Sequence, residues 1–446
     1  MAEHSPAVGS GQIRSDQALT PAERTLLNGV DTTAVIGAVQ HLVAIPSIGG
    51  SEAEIDIQRH IAQAWADDGL NVTTWDIDIN EVSAREDFPG MEVDRTGGLG
   101  VIARWPGGGT GPVLMLLGHT DVVPPGDTHA WSSPAFTPVL KDGRIHGRGT
   151  ADMKAGLVAA WMAVRSLRAQ GITLQGEVIL AAVSGEEDGG LGTYSLLAQG
   201  ITADACIIPE PTDLDVVPAN GGALTFRLIV HGAATHASRR TEGVSAIEKF
   251  ALALTALGEL EAQRNATVDP LMQRWSLAYP LSIGTVHAGD WASTVPDLCI
   301  AEGRLGVALD ETSEQARTAL ERAVQELCDG DPWLRDHPIE VQWWGGQFAP
   351  GRTDPEHPLV ALMLTSHARR TGETAQVYGG PYGSDLRLLV GAGIPTLQYG
   401  PGNSRVAHAP DEWVLTDDVV TCTEVLMLAI MEFCGVAVDD AEQVQS

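Results

Sequence analysis

The stretch "VVPANGG", residues 216–222, separates two kinds of pattern in this 446-residue chain. Upstream, helical and strand-like periods alternate. Helices are predicted at 31–43, 51–68 and 155–168, and strands at 71–77, 99–104, 113–117, 177–183 and 205–208. Such alternation predicts an α/β sheet covered by helices on both faces. Ser51 and Glu54 predict a capping box at the start of the second helix. Downstream of the glycines the order becomes strand 223–230, helix 243–264, strands 281–287 and 298–309, helix 313–327 and strand 339–344. That β-α-β-β-α-β order is the ferredoxin-like unit. From about Ala349 the α/β character returns, with a helix near 358–370, a strand near 395–399 and a closing helix around 417–433. A compact βαββαβ block with α/β pattern on both sides reads as an insertion. The expected division is a polar N-terminal extension over 1–30, a main domain from 31–221 and 348–446, and an inserted domain over 222–347.

Composition narrows the function classes. Asp and Glu number 58 against 27 Lys and Arg, a formal net charge of −31. That balance repels nucleic acid and anionic lipid, so neither is expected as a partner. Cys206, Cys299, Cys328, Cys422 and Cys434 are scattered, odd in number and without metal-type spacing, as expected of reduced residues in a cytoplasmic protein. The first 30 residues hold no apolar core of signal-peptide length, and no run approaches ~20 uninterrupted apolar residues. Neither secretion nor membrane spanning is expected.

The chemistry gathers where strands end. In "LLGHTDVVPPGD" (116–127) a short aliphatic strand closes on Gly118 and is followed by His119, Thr120 and Asp121. Carboxyl ends of strands are where α/β proteins place their sites. His119 and Asp121 share the strand period, so the carboxylate is placed to hold the second nitrogen of the imidazole. Four further stretches stand at or beside predicted strand ends and offer carboxylates or an imidazole: "GRGTADMKAG" (147–156), "VSGEEDGG" (183–190), "IIPEPTD" (207–213) and "VAHAPDEW" (406–413). Singly, each has an ordinary reading: Asp152 as a helix N-cap, Glu186 and Glu187 as a solvated turn, His408 as a loop residue. Together they amount to two imidazoles and several carboxylates with no cysteine nearby, a donor set that suits one or two ions such as Zn²⁺, with Co²⁺ or Mn²⁺ as substitutes. His119, Asp152, Glu187, Glu210 and His408 suffice for one bridging carboxylate and two ligands per ion. Glu186 is left beside a ligand, where a general base for hydrolysis is needed.

At these residues the sequence resembles the co-catalytic zinc aminoacylase and carboxypeptidase family, which includes acetylornithine deacetylase, succinyl-diaminopimelate desuccinylase and glutamate carboxypeptidases. The resemblance runs from about Val35 to Phe433 and is carried by "GHTDVVP", "GRGTADMKAG", "SGEEDGG" and "AHAPDE". It implies a catalytic α/β domain carrying a βαββαβ lid that dimerises. It also implies Asp152 as the bridge, His119 and Glu210 on one zinc, Glu187 and His408 on the other, Glu186 as base and acid, and Asp121 as the partner of His119. His236, in "GAATHASRRTEGVSAIEKF", matches a lid histidine that reaches the neighbouring subunit's site and stabilises an oxyanion. Gly383 and Asp385 of "YGSDLRLL", and the "QYGPG" loop, match as pocket wall. Two positions depart. Ser293 stands where many members have Asn, and Gly306 where they have an Arg that grips the substrate carboxylate; Arg304 lies two residues earlier on the same strand face.

The expected protein is a cytoplasmic, homodimeric, dinuclear zinc amidohydrolase that removes an acyl group from a small N-acyl amine or amino acid. Within hydrolysis the alternatives are a dipeptidase or carboxypeptidase, or a deformylase of an N-formyl heterocyclic amine. Outside it stands a non-catalytic metal-binding scaffold, against which the intact Glu186 argues.

Overall fold

A computed structural model describes residues 18–437. Its main sheet runs, in spatial order, Asn71–Ile77, Gly98–Trp105, Glu177–Val183, Val113–His119, Ala205–Ile208, Thr396–Gln398, Val216–Asn220 and Gly351–Arg352, with Val377–Gly380 paired to Val216–Asn220. The four strands 177–183, 113–119, 205–208 and 396–398 are parallel neighbours, so their carboxyl ends emerge along one edge. The aliphatic runs follow from this position, because a parallel strand buried on both faces has no solvent side to fill with polar residues. Leu114 and Leu116 point into the larger core with helices Thr32–Val43, Glu52–Asp67, Ala155–Ala169 and Thr416–Cys434. Met115 and Leu117, on the alternate positions, point into a second core with Leu196, Leu386 and Leu389.

The inserted unit is a separate four-stranded antiparallel sheet, ordered Leu281–Ala288, Leu298–Val307, Gly222–His231 and Glu340–Phe348. Numbered along the chain, that order is 2-3-1-4, the ferredoxin-like arrangement. Leu224, Phe226, Leu228 and Val230 alternate onto its core and meet Phe250, Leu257, Leu320 and Val324 from helices Ala246–Arg264 and Ser313–Gly330.

Several elements differ from the sequence expectations. Within the 1–30 stretch, residues 1–17 lie outside the described residues, but Pro21–Asn28 is a helix, N-capped by Thr20 and Glu23, whose Leu27 enters the larger core. "VVPANGG" is not a connector only. Val216–Asn220 is a fully buried strand, and Pro218 is tolerated there because the pairing it takes part in is short and interrupted. Helix Leu191–Ala198 escaped periodic reading because six of its eight residues are buried, leaving no polar face to mark it. The Ser51–Glu54 capping box does not form. Ser51 makes no side-chain cap, and Glu54 instead accepts from the Gly50 N–H at 2.8 Å and pairs with Arg95 at 2.9 Å in the interior.

Candidate active site

The parallel strands deliver the site from their shared edge. His119 ends Val113–His119, Glu186 and Glu187 follow Glu177–Val183, Glu210 follows Ala205–Ile208, and the loop after Thr396–Gln398 leads to His408. Asp152 comes from the turn before helix Ala155–Ala169. A Cβ at Gly156 would stand 1.8 Å from the Pro209 carbonyl oxygen, so only glycine lets the start of this helix lie against the strand end that carries Glu210.

His119 Nε2 is 3.0 Å from Asp152 Oδ1 and 3.9 Å from Glu210 Oε1. His408 Nε2 is 3.4 Å from Asp152 Oδ2 and 3.1 Å from Glu187 Oε2. Asp152 therefore turns one carboxylate oxygen to each histidine. His119, Asp152 and Glu187 each offer a ligand atom within 4.8 Å of the other two. Burial pushes the carboxyls of Glu186, Glu187 and Glu210 upward, and their neighbours' negative charges push the same way. Asp152 goes down despite its burial, because both imidazoles hydrogen-bond to it. His408 is lifted to about 11 by Asp152 and Glu187. So dense a group of buried acids outnumbers the two imidazoles that face it, and the nitrogen and oxygen donors fit divalent cations. His119, Asp152, Glu187, Glu210 and His408 are the residues that can hold them.

Asp121 does meet His119, though chiefly through its backbone. Its backbone carbonyl, not its carboxylate, is the near partner of His119 Nδ1, at 3.0 Å against 3.7 Å. The carboxylate turns instead to the next loop, accepting from the Glu186 N–H at 3.3 Å and the Glu187 N–H at 3.1 Å. It fixes the backbone that carries both acids while its own carbonyl orients the imidazole. The Glu186 side chain borders the cleft and has no hydrogen-bond partner among the described residues.

Sequence reading missed a buried pair behind the site. Glu412 accepts from Arg148 at 2.6 Å through one oxygen, and through the other from the Ala151 N–H at 2.9 Å and the Asp152 N–H at 3.2 Å. Arg148 also donates to the His408 carbonyl at 3.1 Å, which steadies a residue held at φ 61°. One ion pair thus positions Asp152 and His408 together. Burial pushes the Lys154 ammonium down to about 7, and it donates to the Leu42 and Ile45 carbonyls, tying the Asp152 turn to the end of helix Thr32–Val43. Lone charged residues such as these carry no sequence period. Their only signal is the quoted motifs they sit in. Glu412→Gln should keep the fold yet weaken metal binding by about 10- to 100-fold, as loss of an outer support usually does. Glu412→Ala should also lower stability by about 3–5 kcal/mol by stranding the Arg148 charge. Chelator competition and thermal unfolding measure the two; unchanged metal affinity in Glu412→Gln would remove the positioning role.

Of the expected substrate contacts, Arg304 and Gly383 line the same cleft as Asp152, Glu186 and Glu210, a space of roughly 410 Å³. Asp385 lies behind it, fully buried and accepting from Thr193 Oγ1 at 2.6 Å, so it supports the wall rather than forming it. Ser293 and His236 lie elsewhere. Both are exposed on the inserted unit, where Ala237 N–H donates to the Ser293 carbonyl at 2.8 Å and His236 bridges to Thr294. Neither borders this chain's cleft.

At 30% identity over 354 residues and 72% of its length, this chain is similar to the N-formyl-4-amino-5-aminomethyl-2-methylpyrimidine deformylase of Bacillus subtilis, 79% of which is covered. It is 29% identical over 419 residues to the acetylornithine deacetylase of Edwardsiella ictaluri, covering 90% of this chain and 97% of that one. Human carnosine dipeptidase 1 shares the fold with a TM-score of 0.74 at 13% identity, covering 93% of this chain and 99% of that one, and the di-peptidase Dug1p of Saccharomyces cerevisiae does so with a TM-score of 0.74 at 15% identity, covering 93% of this chain and 98% of that one. Residues 115–432 match the model of peptidase family M20/M25/M40, and with that span holding every candidate ligand, the chain belongs to this family of amide-bond hydrolases.

Proposed function

We propose that this chain is a dinuclear metal-dependent deacylase that frees a small amine or amino acid from its N-acyl group. The observation that carries the reading is Asp152, with one oxygen toward His119 and the other toward His408, the placement a bridging carboxylate needs. Zinc fits the donor set, with cobalt or manganese as substitutes. When bound, the two ions supply Lewis acidity toward water and toward the amide carbonyl. Glu186 takes the proton from the attacking water and returns it to the leaving nitrogen. The cleft volume suits a small acylated molecule better than a long peptide. A deformylase of an N-formyl heterocyclic amine is the second reading, favoured by the similarity to two such enzymes. The five cysteines, all buried and unpaired, support a reducing, cytoplasmic setting. Among the described residues no helix is long and apolar enough to cross a membrane. A zinc- or cobalt-loaded preparation tested against N-acetyl, N-succinyl, N-formyl and dipeptide substrates decides among these, and turnover of dipeptides alone would overturn the deacylase reading.

His236 belongs to the same proposal. The Ser238 N–H donates to its Nδ1 at 3.2 Å, so that nitrogen accepts and Nε2 carries the hydrogen. Such a tautomer can donate to an oxyanion. Because His236 lies outside its own chain's cleft, the reading assigns it to the site of a partner subunit in a homodimer formed through the inserted unit. His236→Ala and Glu186→Ala, each nearly inactive, should then regain activity on mixing, since one hybrid site receives both intact groups. No recovery despite demonstrated subunit exchange would remove His236 from the mechanism.

A further inference from the structure

Resting on the deacylase reading, we infer that Glu92 masks Arg304 and so makes the cleft select N-acyl amines that lack a carboxylate beside the scissile amide. Among the described residues lining the cleft, the arginines are Arg95 and Arg304. Arg95 is committed: it pairs with Glu54 at 2.9 Å and Asp188 at 2.8 Å, and its side chain is 2% exposed. Of these two, Arg304 is the one left to grip an anionic substrate. Position 306, one step further along the same strand face, is closed, because a Cβ there would come within 2.9 Å of the Pro280 carbonyl oxygen.

Arg304 is not unopposed. Its Nη2 donates to Glu92 Oε1 at 2.9 Å, and that oxygen also accepts from Thr225 Oγ1 at 2.8 Å and the Gly346 N–H at 3.3 Å. Three donors converging on one oxygen mark a held carboxylate rather than a wandering surface side chain. The backbone beneath it is held too. Asp188 Oδ2 accepts from the Glu92 N–H and the Val93 N–H at 3.0 Å each, and from Arg95 at 2.8 Å. Asp188 directly follows Glu187, so the segment bearing Glu92 is fastened to the loop that bears the candidate base and ligand. The pair presents no net charge to the cleft. A substrate carboxylate would have to displace Glu92 or accept its repulsion at short range. A neutral or cationic amine meets neither cost, and the Phe348 and Tyr382 side chains that line the same cleft offer it apolar contact.

The test compares the N-formyl and N-acetyl derivatives of benzylamine with those of phenylglycine, which differ by the α-carboxylate. For each, kcat/KM is measured on metal-loaded protein and Kd by calorimetry. Wild type should favour the benzylamine member in both. Glu92→Gln should shift the ratio toward phenylglycine by at least about tenfold, mainly through KM, as expected for an exposed cation released to a carboxylate. Adding Arg304→Ala to Glu92→Gln should abolish the gain. A wild-type preference for phenylglycine that disappears in Arg304→Ala would overturn the inference, as would an unshifted ratio in folded Glu92→Gln. Absence of turnover on every compound would count against the deacylase reading, while the ratio of Kd values still decides the masking of Arg304.

Discussion

Asp152→Ala is expected to release both metal ions, taking a preparation from about two ions per chain to close to none and activity down by at least ~10³-fold, because a bridging carboxylate belongs to both positions. The geometry sets the expectation. Among the described residues no other carboxylate stands within hydrogen-bond range of both imidazoles: Glu210 approaches only His119, at 3.9 Å, and Glu187 is paired with His408 at 3.1 Å. Removing Asp152 leaves each half-site with too few donors to hold an ion against buffer. A second readout follows from linkage. An ion that binds only the folded protein raises its unfolding temperature, so added zinc should stabilise wild type and leave Asp152→Ala where it was. Elemental analysis showing full occupancy in Asp152→Ala would refute the bridge, and one retained ion would place Asp152 in a single site.

How far the sequence discloses this arrangement depends on what kind of force fixes each part. The parallel core strands are legible because burial on both faces demands uninterrupted aliphatic residues, and Glu177–Val183 and Ala205–Ile208 have the bounds the pattern predicts. The inserted unit is legible because its strands bury one face, as Leu224, Phe226, Leu228 and Val230 show. Val216–Asn220 is not, since Pro218, Asn220 and the following glycines carry turn chemistry while tertiary pairing makes a strand. The candidate ligands could be gathered because their motifs stand at strand ends or in the Gly/Pro-rich loops beside them. Their supports could not. Glu412 and Arg148 are 264 positions apart in sequence, and only the folded chain puts them 2.6 Å apart beneath Asp152. Asp121 illustrates a finer limit: strand period places it beside His119, but the need of the Glu186 and Glu187 N–H groups for an acceptor decides where its carboxylate turns.

Glu186→Gln separates proton transfer from metal binding. Glutamine keeps the length and one oxygen of the side chain but cannot take up a proton, so the rate should fall by at least ~10²-fold, the usual contribution of a positioned base. Metal content should stay near two ions per chain, because Glu186 is not among the residues that meet His119 or His408 at coordinating distance. Its surroundings suit the role. Burial lifts its carboxyl well above the usual carboxylate range, with Asp385, Glu210 and Glu187 adding to the shift and His119 opposing it. A carboxylate so placed holds a proton more firmly than one in water, which favours both taking it from water and carrying it to the departing nitrogen. The backbone should not move, since the Asp121 carboxylate contacts the Glu186 N–H and not its side chain. Glu186→Asp tests position rather than chemistry: a carboxylate one methylene short keeps the proton affinity but not the reach, and should recover only part of the loss. Wild-type turnover in Glu186→Gln would strip Glu186 of the base role, and loss of metal in that variant would make it a ligand instead.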